Sequence, residues 1–230
     1  MLSHTLTDYI KRFIEANQLP GLSVAVVKDG GIVLAEGFGV RSVVDGQPVT
    51  PNCLYHMASV SKPFSATALM QLAEQGKVDL DARLVEYLPW FTMDDPRVNS
   101  ITLRQMLNHI SGMPDVHDYE WGNPYTEDDA LEVYARSLSS EKLLSDPGTQ
   151  FAYSNIAFEL LGTVIARVSG LTFEEYMRRN IFDPLGMKTS TFLRGEVPDE
   201  LAMTPHNNLF GNAVLPYYPY NRAHAPSSTF

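Results

Sequence analysis

The chain has a single cysteine, Cys53, in 230 residues. That leaves no internal disulfide and no metal site built on paired cysteines. A lone thiol fits a reducing, cytoplasmic setting. Positive charge is also scarce: 17 Lys and Arg against 27 Asp and Glu, a formal net charge of −10. Nothing here offsets the repulsion of phosphates, so nucleic acid and anionic membrane surfaces are disfavoured partners. No apolar run reaches membrane-spanning length. The start, Met1 to Arg12, lacks the basic-then-apolar pattern of a signal peptide. A leader removed earlier would leave the same appearance, with a periplasmic or secreted location. Repeats and low-complexity linkers are missing too. What is present is ample apolar material, 44% of residues, enough to build one large core or two small ones.

Read in order, residues 5–16 space Leu6, Tyr9, Ile10, Phe13 and Ile14 as an amphipathic helix. Leu22–Lys28 and Ile32–Phe38 are rich in Val and Ile, and Asp29-Gly30-Gly31 joins them as a hairpin. Residues 39–52 form a turn-rich connection. Residues 64–75 predict a helix apolar on most sides, stopped by Gly76, and 77–90 a loop with a short helix. Thr102 is placed to cap a helix over Leu103–Ile110, ended by Gly112. Thr126 to Asp129 resembles a capping box for a helix over 127–138. Asn155–Ser169 carries Ile156, Leu160, Leu161, Val164, Ile165 and Val168 on one stripe, closed by Gly170. Thr172 to Glu175 opens a further helix that should stop before Pro184. Residues 195–230 read as irregular, rich in Pro and Tyr, with aromatics gathered at Phe210–Tyr220. The chain closes on Ser227-Ser228-Thr229-Phe230, residues that favour a helix start with no helix after them.

Two short motifs carry chemistry. In Ser59-Val60-Ser61-Lys62 a serine and a lysine stand three apart at a helix start. Residues three apart share a helix face, so Lys62 should lie beside the Ser59 hydroxyl. A serine hydroxyl attacks carbonyls only when a base takes its proton, and an amine can be that base. The plain alternative is an N-cap serine and a solvated lysine. In Tyr153-Ser154-Asn155 a phenol and an amide precede a strong helix. A phenol can relay a proton, and an amide offers a donor and an acceptor. Alone, this reads as a core aromatic followed by a helix N-cap.

Together, and with Gly21-Leu-Ser-Val-Ala-Val-Val, Ile101-Thr-Leu-Arg-Gln-Met-Leu-Asn-His-Ile-Ser-Gly112, Pro147-Gly148 and Ile181-Phe-Asp-Pro-Leu-Gly-Met187, the chain resembles a known family. This is the serine β-lactamase and penicillin-binding superfamily. The branch is that of class C β-lactamases, D-alanyl-D-alanine carboxypeptidases, D-aminopeptidases and β-lactamase-like esterases. The likeness runs from residue 6 to about 230. It implies an acyl-enzyme on Ser59, with Lys62 and Tyr153 sharing the acid and base work. It further implies Asn155 as the substrate-binding or lysine-positioning amide, the Ser59 N–H as one oxyanion donor, and no cofactor or metal. The family's third motif, K-T-G or H-x-G, is not found after Asn155. His224-Ala225-Pro226 is the nearest string and no strand follows it. The chain thus reads as an N-terminal portion, weakly active or inactive alone.

Other residues read more plainly. His109 before Ser111-Gly112 suggests a triad but fits a helix C-terminal cap or core position. His109, His117, Asp115 and Asp118 lack regular ligand spacing. Asp94-Asp95 reads as a turn. The expected fold class is α/β (α+β): an antiparallel sheet flanked by helices, left incomplete, plus a mostly helical region. Residues 1–76 would hold the N-terminal helix, hairpin and nucleophile helix, 77–190 the helical region, and 191–230 an irregular lead to further strands. The site should lie at the Ser59 helix start. The expected function is serine hydrolysis of an ester, amide or β-lactam, with a small-molecule or peptide substrate. The alternative is a non-catalytic binding or sensor domain. Self-association or a C-terminal continuation would complete the sheet.

Overall fold

The computed structural model describes residues 2–207 and 211–230, so Phe210 of the aromatic cluster lies outside the described residues. The fold is mixed helix and strand, organised as two compact units that do not follow sequence order. The first joins residues 1–55 to 195–219, and the second joins 56–194 to 220–230. The helix after Ser59 therefore belongs to the second unit, not with the hairpin.

In the first unit, α1 (Leu2–Asn17) precedes strands β1 (Gly21–Lys28) and β2 (Gly31–Gly39). They pair antiparallel from Gly21↔Gly39 to Lys28↔Gly31, with an irregularity between Val26 and Val27. Asp29 (φ 50°) and Gly30 (φ 76°) are the two turn residues. Both have positive φ, as the tight hairpin turn matching strand twist requires, and Asp-Gly tolerates it. Ile10, Leu34, Phe38, Val49 and Cys53 are buried here. Ile32 and the adjacent Val33 are exposed, as is Val27. Neighbouring strand residues point to opposite faces, so the hairpin tip is uncovered on both. A second ladder is only two residues long on each side, β3 (His206–Asn207) with β4 (Ala213–Val214).

The second unit is helical: α2 (Ser61–Glu74), α3 (Leu84–Tyr87), α4 (Leu103–Leu107), α5 (Ala130–Ser137), α6 (Asn155–Ser169), α7 (Phe173–Met177), α8 (Asp183–Leu185) and α9 (Ala225–Ser228). Its axis is α6, buried on every side from Asn155 to Ile165. Helices α2, α4, α5, α7 and α9 pack around it. No single helix among the described residues is long and apolar enough to cross a membrane.

Several sequence expectations need correction. Helix α2 buries one face rather than most sides: Ala68, Leu69 and Leu72 are inside while Met70 is half exposed. Helix α4 is capped by Thr102 as expected but stops at Leu107. His109 there takes φ 56°, its N–H bonding Met106 O while Ile110 N–H bonds Gln105 O. That pair of bonds closes a helix with a left-handed residue. The box at Thr126 is unused, and α5 begins at Ala130. The carbonyls of Tyr125 and Thr126 instead accept from Arg222, and Tyr125 holds the Asp129 carboxylate. The helix from Phe173 does not stop before Pro184. A wide turn over Arg178–Phe182 carries it into α8 with Pro184 in the first turn, where a missing N–H costs little. Finally, Ser227 and Ser228 close a short helix rather than open one.

Candidate active site

Ser59 sits in a short 3₁₀ turn, Ala58–Val60, that runs straight into α2. Ala58 just before it has φ 47°. A non-glycine residue there carries strain of about 1–3 kcal/mol that the surroundings must hold. The Ser61 hydroxyl does so, donating to Ala58 O at 2.7 Å and accepting from Phe230 N at 2.9 Å. The terminal segment is laced along this turn. Met57 N donates to Phe230 O at 2.6 Å, and the Ser65 hydroxyl to Pro226 O at 2.6 Å.

The exposed Ser59 Oγ accepts from two groups, Lys62 Nζ at 3.3 Å and the Tyr153 hydroxyl at 2.9 Å. Lys62 is 6% exposed. Its amine also donates to Asn155 Oδ1 at 2.5 Å and to Ser227 O at 3.0 Å. Three acceptors match the three hydrogens of an ammonium. The same nitrogen lies 4.7 Å from the Tyr153 ring centre and 5.5 Å from that of Phe158.

Why Asn155 is free to reach Lys62 follows from its neighbour. Ser154, not Asn155, caps α6, its hydroxyl accepting from Ala157 N at 3.1 Å and donating to Pro114 O at 2.7 Å. The Asn155 amide group then donates to Asp115 Oδ1 at 2.8 Å and the Tyr119 hydroxyl at 2.7 Å, while its backbone N–H also meets Asp115 at 2.9 Å. This fixes which end of the amide faces the lysine. Burial raises the Tyr119 pKa above its ordinary value, so it is a neutral phenol at pH 7.

The structure thus brings Ser59, Lys62, Tyr153 and Asn155 together within one unit. Sequence reasoning weighed Asp115 only as a metal ligand, and missed Tyr119 and the Ser227 carbonyl. The first two sit on an irregular loop, and a backbone carbonyl has no residue signature. Among the described residues no hydrogen bond joins His109 to a serine hydroxyl, as a triad would need; its Nδ1 instead accepts from Ser154 N. Its ring stacks on Tyr153 at 4.4 Å. The remaining acid and imidazole candidates disperse, with His117 3.5 Å from Glu141, Asp94 paired with Lys142, and Asp95 with Arg97. His224 is buried against Glu159 at 3.0 Å and lies in a helical turn rather than on a strand.

Near Lys62 lies a buried polar cluster of Glu159, Ser227 and His224. Glu159, one turn after Asn155, accepts from the Ser227 hydroxyl at 2.6 Å and faces His224. Its other oxygen has no hydrogen-bond partner among the described residues. Burial raises its pKa, partly countered by His224, Ser227 and Lys62.

Comparison with known proteins places the chain in a family. A family model described as Beta-lactamase matches residues 6–224. Protein flp of Staphylococcus aureus (strain MW2) is 30% identical over 191 residues, covering 80% of this chain and 37% of that protein. The octameric penicillin-binding protein homologue from Pyrococcus abyssi superposes with a TM-score of 0.83 at 31% identity, over 96% of this chain and 52% of that one. A class C β-lactamase gives 0.82 at 25% identity, over 99% and 60%. The chain therefore spans between about a third and three fifths of the length of these relatives. With the model matched over nearly all of its residues, it belongs to the β-lactamase family, with the fold of that family's serine hydrolases.

Proposed function

We propose that this chain carries the nucleophile half of a serine hydrolase acting on an ester, amide or β-lactam. The observation that supports it most is the Ser59 oxygen, held by both an amine and a phenol. In the proposed reaction the Tyr153–Lys62 pair starts one proton short of an ammonium beside a phenol; Oγ attacks the substrate carbonyl carbon, and its proton passes to that pair. Charge gathers on the carbonyl oxygen, facing the Ser59 backbone N–H. The C–O or C–N bond breaks as the pair returns the proton to the leaving group, and an ester on Ser59 remains. Water, deprotonated by the same pair, then releases the acid. No cofactor is needed for these steps. Asn155 seats the amine, and a substrate carbonyl would compete with Tyr119 for one of its donors.

The family's K-T-G or H-x-G motif has no counterpart in these 230 residues, and with it goes the second oxyanion donor. One such donor supports about 3 kcal/mol of transition-state stabilisation, so slow acylation by the chain alone is expected. Substrate choice among peptide, ester and antibiotic belongs to the whole protein. Because the Pyrococcus homologue is octameric, self-association is a further proposal, covering the exposed Val27, Ile32 and Val33.

The test is covalent. Incubation with a fluorophosphonate or a fluorescent penicillin, read by intact mass, should give one adduct on Ser59 and none on Ser59→Ala. An unlabelled chain, and an unlabelled longer form, would leave a binding domain with an inherited fold.

A further inference from the structure

The mechanism leaves one residue unused, the imidazole stacked on the phenol. His109 grips the segment carrying Tyr153 in three ways. Its carbonyl accepts from Ala152 N at 2.8 Å. Its Nδ1 accepts from Ser154 N at 3.2 Å. Its ring lies 4.4 Å from the Tyr153 ring at 29°, and also meets Phe151 at 5.9 Å and Phe158 at 5.1 Å. The residues on either side of Tyr153 are thus tied by their amides while its ring rests on the imidazole. The left-handed backbone at His109 follows the end of α4, and its side chain lies beside the 151–154 segment.

We propose that His109 is the positioning residue for Tyr153, holding the phenol over Ser59 and Lys62, and that it does so only as a neutral imidazole. The reason is the direction of one hydrogen bond. Nδ1 faces an N–H, so it must carry a lone pair, and the ring hydrogen must be on Nε2. A proton added to Nδ1 would set donor against donor. Ser154 N–H would lose its acceptor, and a second cation would stand near Lys62.

The surroundings favour the neutral ring. Burial lowers the His109 pKa below its ordinary value, Lys62 lowers it further, and Asp115 opposes them. The charged groups on each neighbouring element are accounted for. Lys62 comes from α2 and Asp115 from the following loop. Tyr153 precedes α6, and on α6 the Glu159 carboxyl is engaged by His224 and Ser227. The Asp146–Gly148 turn bonds Ile110, but Asp146 is paired with Arg97. With its folded pKa depressed, the clamp is present at neutral pH and is lost as pH falls through that value.

The catalytic meaning of this clamp rests on the acyl-enzyme reading, so the test reads both separately. The full chain, carrying isotope-labelled histidine and tyrosine, is titrated by NMR from about pH 8 to about pH 4, around the ordinary histidine range. His109 should appear as the Nε2–H tautomer. The Tyr153 resonance, assigned with Tyr153→Phe, should move with the His109 midpoint. Fluorophosphonate labelling of Ser59 should fall about tenfold through the same midpoint, less than the roughly 10²–10⁴-fold for removing a positioned acid or base outright, because the phenol is displaced rather than lost. His109→Phe keeps a ring face without the acceptor. His109→Asn suits the left-handed backbone and keeps an acceptor that does not titrate. Both should lose that acid step. An Nδ1–H tautomer, a Tyr153 resonance blind to His109, or an unchanged acid step in both variants would overturn the inference. A Tyr153 that follows His109 while Ser59 takes no label would uphold it and remove the acyl-enzyme reading.

Discussion

Around the Lys62 amine, three oxygens come from residues 59, 155 and 227. In the proposed reaction Ser59 is the nucleophile, while Asn155 and the Ser227 carbonyl hold the amine in place. Replacing Lys62 by Met keeps the packing of the stem but removes all three bonds, and Tyr153→Phe removes only the hydroxyl. Both should slow Ser59 labelling by about 10²–10⁴-fold, the range for a positioned acid or base, with little change in the urea midpoint for Tyr153→Phe. Labelling by Tyr153→Phe at the native rate would exclude the phenol from the proton path. At this scale the sequence was readable where partners are close in the chain. Ser59 and Lys62 are one turn apart, and Tyr153 and Asn155 flank a cap. Asp115 and Tyr119 were not, because they come from a loop without periodicity, and their partner Asn155 is 36 or more positions away.

Among the elements, α6 does the most to assemble the site. Its N-terminal end presents Asn155, its next turn Glu159, and its third the bare backbone of Gly162. A β-carbon at Gly162 would come within 2.1 Å of Pro226 Cγ on α9. Alanine normally favours a helix over glycine by about 1 kcal/mol. Here it would push α9 away, and with it the Ser227 carbonyl. Gly162→Ala should therefore lower stability by about 1–3 kcal/mol, the usual cost of overpacking, and also reduce Ser59 labelling. Thermal melts and adduct mass measure the two together. The apolar period of α6 announced the helix but not this approach, since Pro226 lies in a stretch that reads as irregular. The same limit applies to α4 and α8. Local signals mark where a helix begins, whereas the left-handed turn at His109 and the wide turn before Pro184 are settled by neighbours.

For the molecule as a whole, Glu159 links folding to pH. Its pKa is raised in the fold, so its contribution is fully present below the unfolded value and declines as pH rises through the folded one. Ionised, it leaves a charged oxygen buried without a partner among the described residues. Glu159→Gln keeps the two-acceptor oxygen and removes the charge. Its urea midpoint, relative to the native chain, should improve as pH rises above the ordinary carboxyl range. A constant difference above that range would mean that the carboxyl does not titrate there. The mixed fold was legible from hairpin and helix signals. The two-unit division was not, because each unit is closed by a return of the chain, at residues 195–219 and 220–230. Sequence order hides such returns.

The Ser227 carbonyl that holds the Lys62 amine is contributed 165 positions downstream of it. During synthesis, the nucleophile emerges from the ribosome long before its base has anywhere to settle. On the proposed mechanism, a nascent chain carries an inert hydroxyl until residues 222–228 have been made and docked against the amine.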